Sequence, residues 1–150
     1  MGQPDVDWPG YGQFKYKSAK GGAGSYEPVQ VAWLERQIDF YPEPATAELV
    51  LAALPTANAL IADPARWQDE VRKIAMRDGY AIWRDSGLYR EDGEPLIPVS
   101  KWWEEIVIWF VHFDADGVFE FMLYGGDGPL NGMKFVVRGN VSTGADHATD

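Results

Sequence analysis

Residues 100–124 read SKWWEEIVIWFVHFDADGVFEFMLY, and this stretch decides the fold. The apolar run Ile106–Phe113 is bounded by charged residues and an Asp-rich turn. It reads as a central strand, apolar on both faces. Asp116-Gly117 supplies hairpin-turn chemistry, so Val118–Tyr124 returns antiparallel to it. Ahead of the run, Ser100 is placed to cap a short helix over 101–105, with Glu104 and Glu105 near the positive end of its dipole. Adjacent helical side chains diverge by about 100°, so one of Trp102 and Trp103 faces the core and the other lies nearer the surface. After the loop GGDGPLNG, a third strand alternates: Met133, Phe135 and Val137 point inward, Lys134 and Arg138 outward.

Working back toward the N-terminus, Val29–Tyr41 is β-branched and aromatic and stops at Pro42, a strand or strand pair. The next segment turns helical, with Leu49, Ala52, Ala53, Leu60 and Ile61 as the expected buried stripe. Pro55 is expected to kink or divide it. Asp63 and Pro64 open a further helix as cap and first helical residue. Its core face is Trp67, Val71, Ile74, Ala75 and Ile82, and Gly87 ends it. Residues 88–99 form a charged connection with Asp92-Gly93 as a turn. Residues 1–28, rich in Gly, Pro and Lys, read as a flexible arm in which 11–17 add an edge strand. The expected fold class is α+β: helices packed on one face of a mainly antiparallel sheet with a C-terminal β-meander. The expected organisation is the arm over 1–28 and one domain over 29–150.

A chain of 150 residues with 46% hydrophobic and 14% aromatic content can bury a sizeable core. With no cysteine it has no disulfide framework, thiolate metal site or cysteine nucleophile. No stretch reads as a secretory signal or a membrane span, so a cytoplasmic location is expected. The net charge of −10 is uneven: Asp5, Asp7 and Glu27 cancel Lys15, Lys17 and Lys20, and the whole deficit falls after residue 30. Such a field repels nucleic acid and anionic lipid and steers basic partners inward; the same charge also serves plain solubility.

Candidate chemistry is sparse. KGGAG at 20–24 lacks the Gly-Lys-Ser/Thr of a phosphate loop. His112 and His147 are too few for a three-ligand zinc site without carboxylates, and His112 is expected to share a strand face with Ile106, Ile108 and Phe110. Ser142, Asp146 and His147 lie in a tail expected to fray, and a frayed tail does not hold a triad in register. Asp114 and Asp116 match two positions of a calcium loop, but His112 and Leu123 occupy its first and last ligand positions. Glu104 and Glu105 diverge on a helix and do not converge as paired catalytic carboxylates must. Seven tryptophans exceed what a core of this size requires; Trp33, Trp67 and Trp109 are expected on core faces. An exposed aromatic beside acids suits a protein interface or a sugar platform.

From about Leu51 onward the order of elements resembles a family of small bacterial domains of unknown function. It is carried by Trp67, the Asp116-Gly117 turn, Phe121 and Gly132, with Met133 standing where the family tends to have His. Such domains are similar to acidic immunity proteins of bacterial toxin systems, which implies a non-enzymatic domain that occludes a basic toxin. The expected binding residues are Asp85, Glu91, Asp92, Glu94, Asp114, Asp116 and Asp127 with Trp102 or Trp103; no cofactor is expected. Two further readings stand beside it. One is a carboxylate-dependent hydrolase or sugar-binding protein with Glu104 or Glu105 as acid. The other is a homo-oligomeric module with Trp102 or Trp103 at a two-fold interface.

Overall fold

The computed structural model describes residues 2–86, 89–90 and 93–150, apart from the side chain of Ala23. Two short antiparallel hairpins come first, β1 (Val6–Trp8) with β2 (Gly12–Phe14) and β3 (Tyr16–Ala19) with β4 (Gly22–Tyr26). This corrects the expected arm. Val6, Trp8, Phe14 and Tyr26 are core residues, and Trp8 stacks on Phe14 and meets Phe40 and Phe113. The glycines and lysines around these residues hide a strand alternation whose apolar members are all buried.

A six-stranded sheet carries the remainder. β5 (Val29–Trp33) and β6 (Arg36–Pro42) form a hairpin, and β7 (Ile106–Phe113), β8 (Val118–Gly125), β9 (Lys134–Asn140) and β10 (Gly144–Thr149) form a meander. The hairpin joins the meander through β6 and β7, which pair in parallel. The long helical crossover between those strands permits it. The fold class is therefore α+β, and β10 replaces the tail expected to fray.

The helices cover one face. α1 (Ala47–Ala62) opens with Thr46, whose side chain accepts from Leu49 N–H. Its buried stripe is Val50, Ala53, Thr56, Ala57 and Leu60, rotated from the expected one, so that Leu49 and Leu51 are exposed. The helix runs through Pro55 undivided. Pro55 lies on the exposed side, where water can serve the carbonyl it leaves unpaired. α2 (Pro64–Ile74) starts at Asp63 as expected and continues through a π-turn at Ala75–Gly79 into α3 (Tyr80–Asp85). Gly79 is required there: a Cβ would come within 2.8 Å of the Phe135 ring. α4 (Val99–Glu104) follows Pro98, without the side-chain cap expected of Ser100. The expected stop at Gly87 lies outside the described residues.

Trp8, Trp33, Trp67, Trp83 and Trp102 are all fully buried, so the core takes five of the seven tryptophans. Three of them meet the last turns of α1. Trp8 Nε1 donates to Asn58, Trp67 Nε1 to the Ala59 carbonyl and Trp33 Nε1 to the Leu60 carbonyl. Helix C-terminal carbonyls lack intrahelical partners, and here two indoles supply them.

Candidate binding face

The face of the sheet away from the helices is uncovered, and a β-bulge decides what it displays. Along β7, Ile106 and Ile108 point to the core, the pairing with β8 shifts between Ile108 and Phe110, and Val111 and Phe113 then point inward. Trp109 is the extra residue. Bulges re-aim side chains, and this one reverses the alternation, so that Phe110 and His112 leave the face of Ile106 and Ile108. Two expectations are corrected here. Trp109 is not a core residue but 47% exposed, and β7 is not buried on both sides.

Strand register arranges the outer residues in rows. Asp39, Phe110, Met122 and Val136 are neighbours across β6 to β9, as are Tyr41, His112, Glu120 and Arg138. The Tyr41 ring stacks on His112 with centroids 5.2 Å apart, and Phe110 lies edge-on to both at 5.3 Å. Trp109 meets Phe110 at 5.1 Å and Tyr124 at 5.6 Å. The result is an unbroken aromatic diagonal from β6 to β8: Tyr41, His112, Phe110, Trp109, Tyr124. Polar contacts hold its ends. His112 Nδ1 lies 2.8 Å from Glu43 Oε2, and Lys134 Nζ sits 5.9 Å from the Trp109 ring. Arg138 donates to Glu120 alongside. Burial in this row raises the Tyr41 hydroxyl pKa, with Asp39 adding to the effect.

Two shallow depressions over His112 and Glu120 hold about 210 and 160 Å³. Ligand pockets usually begin near ~300 Å³, so this face suits broad contact rather than enclosure of a small molecule.

The residues expected to bind are scattered by comparison. Asp114 and Asp116 sit at one end of the β7–β8 hairpin and Asp127 beyond the other end of β8, roughly 25 Å away at strand rise. Asp114 is also committed to the turn, its Oδ1 accepting from Asp116 N–H and Val118 N–H. Asp85 binds Arg84, whose hydrogen bond holds the Asp85 carboxyl below its ordinary pKa. Glu94 is exposed, and Glu91 and Asp92 lie outside the described residues. Trp102 leaves the set: fully buried against Tyr80 and Phe135, it has no surface to offer. Trp103 is half-buried and lines a separate cleft of about 200 Å³ with Arg36, Gln68, Glu104, Ile106 and Ile108. Glu104 lies within 3.6 Å of Lys101, while the Glu105 carbonyl accepts from Gly126 N–H. The aromatic diagonal escaped sequence reasoning because strict alternation hid Trp109, Phe110 and His112; only the register shift reveals them.

No family model, curated protein or solved structure matches the chain. Among the described residues, no helix is long and apolar enough to cross a membrane.

Proposed function

We propose that this chain is a non-enzymatic protein-binding domain whose docking surface is the uncovered sheet face, and that its partner is a basic protein. The observation that carries this reading is the aromatic diagonal itself. It is a contiguous set of rigid rings on a sheet, the kind of anchor that dominates interface energies. Charge selects the partner. Arg66, Arg72, Lys73, Arg77, Arg84 and Lys101 are each engaged by a neighbouring carboxylate. The carboxylates of Asp7, Glu27, Glu35, Glu48 and Glu94 have no basic partner among the described residues, Arg90 reaching Glu94 only at its carbonyl. On the face itself, Asp39, Glu43 and Glu120 flank the rings on the β6 side and along the His112 row, with Arg138 and Lys134 toward β9. A net charge of −10, with those six bases locally paired, accelerates encounter with a basic surface. In the form the family resemblance implies, the chain is an immunity protein and the partner a basic toxin.

The test is capture from a lysate of the source cells with the wild type and with Trp109→Ala/Phe110→Ala in parallel, at low and high salt. A stoichiometric basic protein held by the wild type, released by salt and absent from the variant is expected. Equal recovery on both baits contradicts the reading.

A second reading, a sugar-binding or carboxylate-dependent hydrolytic site, draws on the Trp103 cleft, where a ring platform, Glu104, Arg36 and Gln68 line one depression. Titration with oligosaccharides, followed by the Trp103 indole signal, tests it. No shift with any sugar, or the same affinity by calorimetry in Trp103→Ala, removes it.

A further inference from the structure

The two edges of the six-stranded sheet are built differently. At β10, helix side chains occupy the outward backbone groups. Glu70 Oε1 accepts from Ala145 N–H, Asp78 Oδ2 accepts from Ala148 N–H, and Arg77 donates to the Asp146 carbonyl. A bulge between Ala145 and His147 adds irregularity. These are the devices by which proteins blunt a free edge.

At β5 none of them is present. The sequence there is Val-Gln-Val-Ala-Trp, without charge, proline or bulge. Trp33 and Arg36 close a two-residue turn, so they exchange hydrogen bonds, and the alternate residues Gln30 and Ala32 turn their N–H and C=O groups away from β6. Neither residue has a partner on that side among the described residues. The nearby β2 does not fill the edge: Gly12 approaches the inward side chain of Val29, beneath the sheet.

We infer that β5 is a strand-addition site for an extended, basic segment of the partner protein, which extends the sheet and its uncovered face by one strand. The inference rests on the binding function proposed above. Charge chooses the occupant. The edge is flanked by Glu27 and Glu35, whose exposed carboxylates have no partner among the described residues, while the Glu27 N–H donates to the Lys15 carbonyl. A second copy fits less well, because the two-fold register that matches Gln30 to Ala32 of the other copy brings the Glu27 end of each strand to the Glu35 turn of the other, and like charges brought together are destabilising.

The test is an NMR titration of the full chain with a capped seven-residue peptide alternating lysine and valine. Slowed exchange and shifted amide signals at Gln30 and Ala32 are expected. Ala32→Pro, which removes one edge donor, and Glu27→Lys/Glu35→Lys, which leaves the backbone intact, are each expected to weaken the peptide at least tenfold. A peptide N-methylated at its edge-facing positions is expected not to bind. Unchanged Gln30 and Ala32 amides at millimolar peptide overturn the inference, as does protection that grows with protein concentration alone, which assigns the edge to a second copy. Trp109→Ala separates this claim from the docking face. Binding lost in that variant but kept in the two edge variants overturns strand addition and leaves the docking face standing.

Discussion

The two faces of the six-stranded sheet are both aromatic, yet they use their rings differently. On the covered face, Phe121 packs against Trp33 at 5.4 Å and Phe119 against Trp67 at 5.2 Å, with every ring fully buried beneath helices or hairpins. On the uncovered face the rings contact one another and their edges remain in water, held by Glu43 at one end and Lys134 at the other. Rings that pack under a second layer contribute to folding. Rings that pack only on their neighbours leave apolar surface unburied, and that surface gains more from a second molecule than from the fold. The bulge at Trp109 is what gathers Trp109, Phe110 and His112 on the uncovered face.

The widest separation is expected in stability. Phe121→Ala should cost about 3–5 kcal/mol in urea denaturation, since it opens a cavity in the core. Trp109→Ala should cost under about 1 kcal/mol, as surface substitutions do. Comparable losses from the two would break the distinction between the faces. Next comes affinity: Trp109→Ala should weaken the basic partner by about 2 kcal/mol, roughly thirtyfold by titration calorimetry. An unchanged affinity would move the docking surface elsewhere.

A smaller effect sharpens the picture at the hairpin beside these faces. Leu34 holds φ at +59°, a left-handed conformation costly for a side chain, and its side chain is exposed. Leu34→Gly should therefore stabilise the fold by about 0.5–1 kcal/mol, the relief of strain exceeding glycine's entropy cost. Loss of stability would show that the leucine makes a contact worth more than its strain.

The smallest effect is at the protected edge. The hydrogen bond from Arg77, and then that from Ala148 N–H, hold the Asp78 carboxyl below its ordinary pKa, with burial opposing them. A depressed carboxyl contributes stability that is present above its unfolded pKa of about 3.9 and lost as pH falls through the folded value. Amide exchange at Ala148 should therefore speed, relative to other β10 amides, as the solution is taken below about pH 4. Equal protection of Ala148 in Asp78→Ala at neutral pH would show that the carboxylate does not seal that edge.

Sequence periodicity located β7 to β9 and the inward set Met133, Phe135 and Val137, because alternation and turn chemistry are local signals. It also placed the start of α2 at Asp63-Pro64. The N-terminal hairpins were harder to read: Trp8, Phe14 and Tyr26 are spaced among glycines and prolines, and only their shared burial makes them core. The bulge was hidden for a similar reason. Ile-Val-Ile-Trp-Phe-Val-His-Phe is apolar in either register, so nothing in it signals which residue is extra. Acidic composition pointed to a class of partner but not to a place, since Asp85 and Asp114 are engaged locally and Trp102 is interior. The two sheet edges were legible only in three dimensions, where Glu70 and Asp78 reach β10 from the helices.

The most direct test of the docking face is residue-resolved amide and side-chain footprinting of the chain in complex with its captured basic partner. Tyr41, Trp109, Phe110, His112 and Tyr124 are expected to respond together while the helical layer does not. A footprint confined to the acidic connection around Glu94, or to the helices, with the aromatic diagonal unchanged, would contradict it.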